Sequence, residues 1–468
     1  MSTKYAVRIQ ASRLKPLAAL IPLLIAVGHA GAVGVGQIAA GSGTISSNVA
    51  TTGSNGATTI NQQSNRLVVN WSNFDVATGE RVQINQPNAQ SAILNRVNSA
   101  SRTQIDGALS ANGRIFVVNP NGIVVGKTGT INANGVVLST LDVPDSFFIK
   151  SEGGSGPTLL PFRKVAGAAN AAVVNEGTIN AGVAGVNLFG SQVINGATGK
   201  ISAKGDRTVT AGALTSVNMV ASDMVEAYQT DSTGGLVAYI PFGNLNAIAV
   251  DGLVANDGAI EVDAGNVDLN IYGGRSTLSE ALRNTGSIKA SSVDAEFPGV
   301  PGLHTIGGNV SLRSRGVGTH VGGSISGKNV TIATQNNTVV DGTLDAVANL
   351  DVAAVSVNKD ATLVVSDNGR LDSGGYLSLV GDNVMMNGRA TSGTAVRVVG
   401  YGRADVREGG LNAPNWTIDN GGKVTTGTGQ NGLSSDPVAQ GYSSTGDGYY
   451  GNKRPATPQI PTVAGLNQ

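Results

Sequence analysis

The chain has no cysteine among its 468 residues, which excludes disulfides, thiolate metal sites and cysteine nucleophiles together. Aromatic residues are scarce at 4%, and charged residues reach only 13%. So few large rings suit thin stacked layers of Val, Ile, Leu and Ala better than one thick globular core. Lysine plus arginine (31) cancels aspartate plus glutamate (31), so no net field draws the chain to nucleic acid or to an anionic membrane surface. Nucleic-acid binding is not expected. Of three histidines, His29, His304 and His320, none has a helix-spaced or cysteine-paired companion, so solvated loop positions are expected for the last two and no metal is expected. Serine nucleophile elbows and phosphate-cradling glycine loops are also missing, and no cofactor is expected.

Glycine is abundant at 66 residues, and it opens a recurring phrase: glycine, any residue, an aliphatic, a polar residue, a small one. The phrase is Gly129-Thr130-Ile131-Asn132-Ala133, and it returns at 177–181, 199–203, 258–262, 286–290, 323–327, 342–346, 369–373 and 410–413. Asn175, Asn256 and Asn284 extend three copies upstream. Adjacent copies lie about 20 residues apart, a solenoid period. Within one copy glycine turns the chain, the aliphatic residue points inward and its neighbour outward, because side chains alternate along a strand. One coil cannot bury its apolar face alone. Stacking sets like over like, so aliphatics form internal ladders and asparagines bridge neighbouring turns. The predicted class is all-β, a parallel β-helix of roughly 18 coils and about 85 Å. Its open ends need caps, and residues 33–63 are placed to cover the first.

Between Arg66 and Leu141 the sequence carries a second kind of signal. Val69-Asn70-Trp71, Phe74-Asp75-Val76, Asn85-Gln86-Pro87, Ile93-Leu94-Asn95-Arg96-Val97, Gly107-Ala108-Leu109, Asn112-Gly113-Arg114-Ile115-Phe116-Val117-Val118 and Asn119-Pro120-Asn121-Gly122-Ile123 follow one another in order. By their residues alone these are short half-buried strands joined by turns. Proline holds Asn119 extended, and Asn121 with Gly122 tolerates the backbone a tight turn requires. As a set the phrases resemble the secretion domain of filamentous-haemagglutinin-type exoproteins of two-partner secretion systems. That resemblance implies a right-handed β-helix and a dedicated outer-membrane barrel transporter with periplasmic recognition domains. It also implies that Asn85, Gln86, Pro87, Asn95, Arg96, Asn119, Pro120, Asn121, Gly122 and Ile123 belong to the secretion motif the transporter recognises, and that the product is secreted or held at the surface of a Gram-negative cell.

The domain reading follows. Lys4, Arg8, Arg13 and Lys15 precede an apolar stretch at 17–27, and Ala30-Gly31-Ala32 offers small residues for cleavage, so 1–32 reads as a signal peptide too short for a membrane span. Residues 33–290 read as the secretion domain, 291–428 as a β-helical extension and 429–468 as a flexible Gly/Ser/Pro-rich tail. Period breaks at 144–164 and 217–241 predict excursions, a loop or hairpin and a strand pair laid on the rod, and 276–282 predicts one helical turn. Three function classes stay open. The first is an adhesive rod meeting a host surface or carbohydrate. The second is a polysaccharide-cleaving enzyme using Asp341, Asp345, Asp351, Asp367, Asp372 or Asp382 with Arg370, Arg397, Arg403 or Arg407. The third is a captor of a host or nutrient molecule such as a haem carrier, a role the resemblance admits.

Overall fold

The structure is a computed structural model and describes residues 33–48, 56–150, 158–206, 214–229, 235–241, 251–273, 280–297 and 300–430. Residues 1–32, read above as a signal peptide, and 431–468 lie outside them, while 429 and 430 of the expected tail end the strand Lys423–Gln430.

The glycine phrases land one above another. Ala57–Gln62, Arg81–Asn85, Ala108–Ala111, the opening of Thr130–Ser139, the opening of Thr178–Gly190, Lys200–Lys204, Ala259–Asp263 and Ser287–Ala290 pair in parallel, each with the next. The openings of Ser324–Thr334 and Thr343–Ala354, then Arg370–Ser373, Arg389–Ser392 and the opening of Leu411–Asn420, continue the first sheet to thirteen strands. The aliphatic of every phrase meets its counterpart: Leu109, Ile131, Ile179, Ile201, Ile260, Ile288, Ile325, Leu344, Leu371, Ala390 and Leu411 form one inward column, each at most 1% exposed. Burial of each Ile or Leu side chain in this column contributes about 1.5–3 kcal/mol.

After a corner each coil crosses a second sheet, from Arg66–Trp71 through Ala92–Val97 and Arg114–Val118 to residues 415–420, and then a shorter third one that includes Thr103–Ile105, Ile123–Val125, Gln192–Asn195, Leu253–Asn256 and Thr338–Val340. Three sheets wound around one narrow core make the parallel β-helix. Thirteen coils at about 4.8 Å give a rod of about 60 Å, shorter than the predicted 85 Å. The shortfall has a physical source, because the helix Asp145–Lys150, the strands Thr158–Arg163, Met224–Gln229 and Leu236–Tyr239, and the pair Ser292–Phe297 with Val300–Gly307 stand off the coil path and add no turn to the stack.

Two of those segments build a lid on the second sheet. Outward on the early coils stand Val68, Leu94, Phe116, Val137, Phe189 and Val220, all at most 3% exposed. Water is kept from them by the helix Asp145–Lys150 and a three-stranded antiparallel sheet of Thr158–Arg163, Met224–Gln229 and Leu236–Tyr239. Asp145 in the helix's first turn and Lys150 in its last suit the helix dipole. Phe148 sets its ring edge against Phe116 at 5.2 Å, and Phe162 does the same to Phe189 at 5.1 Å. Both predicted excursions therefore exist, but they pair with each other, and Val217 and Met219 stay in the coil strand Thr215–Ala221. A further hairpin, Ser292–Phe297 with Val300–Gly307, was not foreseen. Leu282 opens the strand Leu282–Asn284 in place of the predicted helical turn, and 274–279 lies outside the described residues.

Both ends close with an antiparallel strand. Gly36–Ala40 lies along Arg66–Trp71, Gly43–Asn48 along Ala57–Gln62, and Lys423–Gln430 along Leu411–Asn420. The chain's two tryptophans mark these ends. Trp71 sits under Gly36 and Trp416 under Gly427, so close that a Cβ on either glycine would meet the indole at 2.6 Å and 2.1 Å. Among the described residues no helix is long and apolar enough to cross a membrane.

Candidate functional site

The predicted secretion motif is divided between the inside and the outside of the rod. Asn95 occupies an inward column between Val69 and Val117, fully buried, accepting a hydrogen bond from Trp71 Nε1 at 3.0 Å and donating to the Phe116 carbonyl at 3.2 Å. Gln86, 7% exposed, clips three coils. Its amide donates to Gln62 Oε1 at 2.9 Å and accepts from Gly113 N at 2.8 Å, while its backbone exchanges bonds with the Asn112 side chain. Asn119 is also fully buried and donates to the Ser101 carbonyl and Thr103 Oγ1, both at 3.0 Å. Its Oδ1 receives Asn121 N at 2.9 Å, which tightens the turn, and Gly122 takes a φ of +112°. Ile123 is a core residue with no exposure.

Asn85, Pro87 and Asn121 stand outside, and Pro120 is half-buried. Asn85 donates to Asn61 Oδ1 of the preceding coil at 2.7 Å, and Asn121 to the Ser99 carbonyl at 2.7 Å. Asn85 to Pro87 lies where the first sheet turns into the second, Asn119 to Ile123 where the second turns into the third. In the folded rod the motif does not form one cleft.

Arg96 holds the lid. Its guanidinium pairs with Asp142 at 2.9 Å and Asp145 at 2.7 Å and donates to the Val143 carbonyl at 2.8 Å. Burial works against its charge, but the two carboxylates prevail and leave its pKa above the ordinary guanidinium value. Arg114 has the opposite setting. Burial first, and then the charge of Arg66, push it down to about 9.

The acidic and basic residues weighed for catalysis are spread over several faces, with one pair of carboxylates in register. Asp345 and Asp372 face each other on the outside of the first sheet, Asp351 and Arg397 stand on the second, and Asp382 is buried at a corner, where it accepts from Ser356 N and Ala361 N. Asp367 pairs with Arg407 at 3.0 Å, and Arg403 with Asp405 at 2.7 Å. Of the histidines, His304 and His320 are on strands, not in loops as predicted, and His29 lies outside the described residues. His304 lies in the hairpin, and His320 lies in Thr319–Val321 with Asp341 2.9 Å from one ring nitrogen and Glu280 3.5 Å from the other. Among the described residues no group of three or more His, Asp or Glu could hold a metal.

Residues missed by the sequence reading include Asn195, which joins Asn175, Asn256 and Asn284 in a buried row. Its signal was present, since Asn195 precedes the phrase at 199–203, but two extra residues in the turn hid the match. Arg313 and Arg315 line a groove on the second sheet and were also missed, although Val310-Ser311-Leu312-Arg313 alternates as a half-buried strand does.

With this geometry in place, the TPS secretion domain model matches residues 36–345. The chain belongs to that family. This two-partner-secretion exoprotein is 29% identical over 246 residues to a heme/hemopexin-binding protein of Haemophilus influenzae, a match covering 50% of this chain and 24% of that protein. A 16S rRNA endonuclease CdiA of Enterobacter cloacae is 28% identical over 357 residues, covering 70% of this chain and 10% of that protein. The exoprotein thus spans about a quarter or less of these relatives. The solved HMW1 secretion domain of Haemophilus influenzae superposes with a TM-score of 0.60 at 21% identity, covering 83% of this chain and all of that one, which places the fold.

Proposed function

We propose that the chain is exported across the outer membrane by a dedicated barrel transporter, whose periplasmic recognition domains read the motif residues Asn85 to Pro87, Asn95, Arg96 and Asn119 to Ile123 before the coils close. One observation supports this reading above others: Asn95, Asn119 and Ile123 are fully buried and Gln86 nearly so, and the motif is divided between two corners. A partner can meet those side chains together only on an extended chain. Once outside, the chain winds into the short rod, which is secreted or surface-held and serves adhesion or another extracellular interaction without chemistry of its own. Apart from the register neighbours Asp345 and Asp372, the carboxylates are spread over different faces and corners, which fits this better than acid-base cleavage in one groove. Secretion is measured with the transporter deleted and with Asn121→Ala. Export falls in both, while purified Asn121→Ala keeps wild-type stability to within about 0.5 kcal/mol. Undiminished export without the transporter overturns the reading.

A second reading, capture of a host molecule such as a haem carrier, is favoured by the likeness to the heme/hemopexin-binding protein, which covers half of this chain. Pull-down of haem carriers with purified protein tests it.

A further inference from the structure

We propose that the outward face of the second sheet between residues 309–315 and 376–381 is a binding groove for an acidic saccharide. This assignment rests on the adhesive reading of the rod and gives it a ligand class.

The groove is a product of register. Parallel stacking puts Arg313, Ala333, Ala353 and Val380 in one outward row and Ser311, Thr331, Asp351 and Ser378 in the next. Two alanines between an arginine and a valine make a trough two coils wide, about 10 Å across. It encloses about 300 Å³. The floor is methyl groups and sheet backbone; the rim is guanidinium, hydroxyl, amide and carboxylate from Arg313, Arg315, Thr331, Gln335, Asp351 and Ser378. A flat apolar floor with a few convergent polar groups is ligand-site chemistry.

The occupant follows from what the wall offers. Arg313 and Arg315 are two residues apart on one strand and therefore project to the same side. Asp268, 3.3 Å from Arg313, holds that guanidinium in place. Burial lowers the pKa of Arg315, Tyr272 opposes it and the charge of Arg313 adds to it, so a carboxylate beside the pair favours the charged guanidinium. A peptide strand is a poor fit, because the N–H and C=O groups under the trough are spent on the ladders to the coils on either side. The occupant has to bring its own donors and acceptors. Ring hydroxyls meet Asp351, Ser378 and Thr331, ring C–H faces meet Ala333 and Ala353, and an acidic group meets the arginines. A polyphosphate is a poorer fit, because it has no C–H face to lay on Ala333 and Ala353.

Isothermal titration of the purified folded chain with trigalacturonate and with neutral maltotriose tests the assignment. Trigalacturonate binds, more weakly as salt is raised, and maltotriose binds at least about tenfold more weakly. Arg315→Gln, which removes one charge, and Ala353→Leu, which fills the trough, each weaken trigalacturonate about tenfold or more while melting temperature confirms an intact rod. Absence of trigalacturonate binding, equal binding of maltotriose, or wild-type affinity in both variants overturns it. Adhesion of cells bearing Arg315→Gln separates the two levels: unaltered adhesion removes this groove and leaves the adhesive reading standing.

Discussion

Asn195 donates its side-chain amide to Asn256 Oδ1 at 2.7 Å, across 61 positions of sequence. The same pattern continues on both sides, from Asn175 to Asn195 at 2.8 Å and from Asn256 to Asn284 at 2.7 Å, and all four residues are fully buried. Asn195 and Asn256 each give a hydrogen to the next coil and an oxygen to the previous one, while at the ends of the row Asn175 Oδ1 has no partner and Asn284 donates to the Gly286 carbonyl. The bonds inside the row form only in the native register, since a slip of one residue along the strand would separate the stacked amides.

Replacing Asn256 with alanine therefore takes away the two bonds within the row and a third to the Ser287 carbonyl, and deprives Asn195 of an acceptor and Asn284 of a donor. A loss of about 2–4 kcal/mol is expected in urea unfolding. Asn349→Ala, at the exposed end of the outer row Asn266, Asn309, Asn329 and Asn349, changes stability by no more than about 0.5 kcal/mol. Equal losses at the two sites would contradict the role given to the buried row.

The end caps depend on glycine for lack of room. Gly427→Ala drives a methyl into the Trp416 ring, so the strand Lys423–Gln430 has to lift or the indole has to turn. A destabilisation of about 1–3 kcal/mol is expected, with a red shift in tryptophan emission as Trp416 gains water. An unshifted spectrum and an unchanged melting temperature would show that the cap does not seal this end.

The lid is expected to open without unwinding the far coils. Phe162→Ala removes a fully buried ring packed on Phe189, at a cost of about 3–5 kcal/mol. Hydrogen exchange should quicken in Thr158–Arg163, Met224–Gln229 and Leu236–Tyr239 and stay slow beyond residue 309. Uniform acceleration along the whole rod would mean that lid and coil unfold as one unit.

Asp268 supplies a pH test. Burial raises its pKa above the unfolded value of 3.8, and Arg313 pulls in the other direction. A raised carboxyl pKa means that the folded state holds the proton more tightly. The associated stability is present below the unfolded pKa and is lost as pH rises through the folded one. Arg313→Met removes the opposing charge and raises that pKa further. The variant is expected to fall short of wild type by about 1–3 kcal/mol at neutral pH, less than for a fully buried pair because the two side chains keep 19% and 29% exposure. The deficit shrinks on acidification towards the unfolded carboxylate value. A deficit constant with pH would place the effect in packing.

The glycine phrase could be read in advance because it repeats, and repetition reveals register: Ile179 stands over Ile201 in the structure as the spacing of their copies implies. Asn195 escaped notice because its turn is two residues longer. The breaks at 144–164 and 217–241 were visible as lost periodicity, yet nothing local says that Leu160 lies opposite Ala227, because antiparallel pairing over that distance depends on where the intervening coils bring the two segments. The overcount of coils has the same origin, since a residue that leaves the rod looks in sequence much like one that stays.

By itself, the sequence determined the stacked-coil architecture and the family, because inward aliphatics, corner glycines and the phrases from Arg66 to Leu141 are local and ordered. Only the tertiary structure decided which motif residues are buried and where the groove opens. Asn95 is hidden by Trp71 and Phe116 from neighbouring coils, and Ala333 becomes the floor of a trough only because Arg313 and Val380 are stacked on either side of it. Exposure is set by neighbours brought in from other coils, and no single coil contains them.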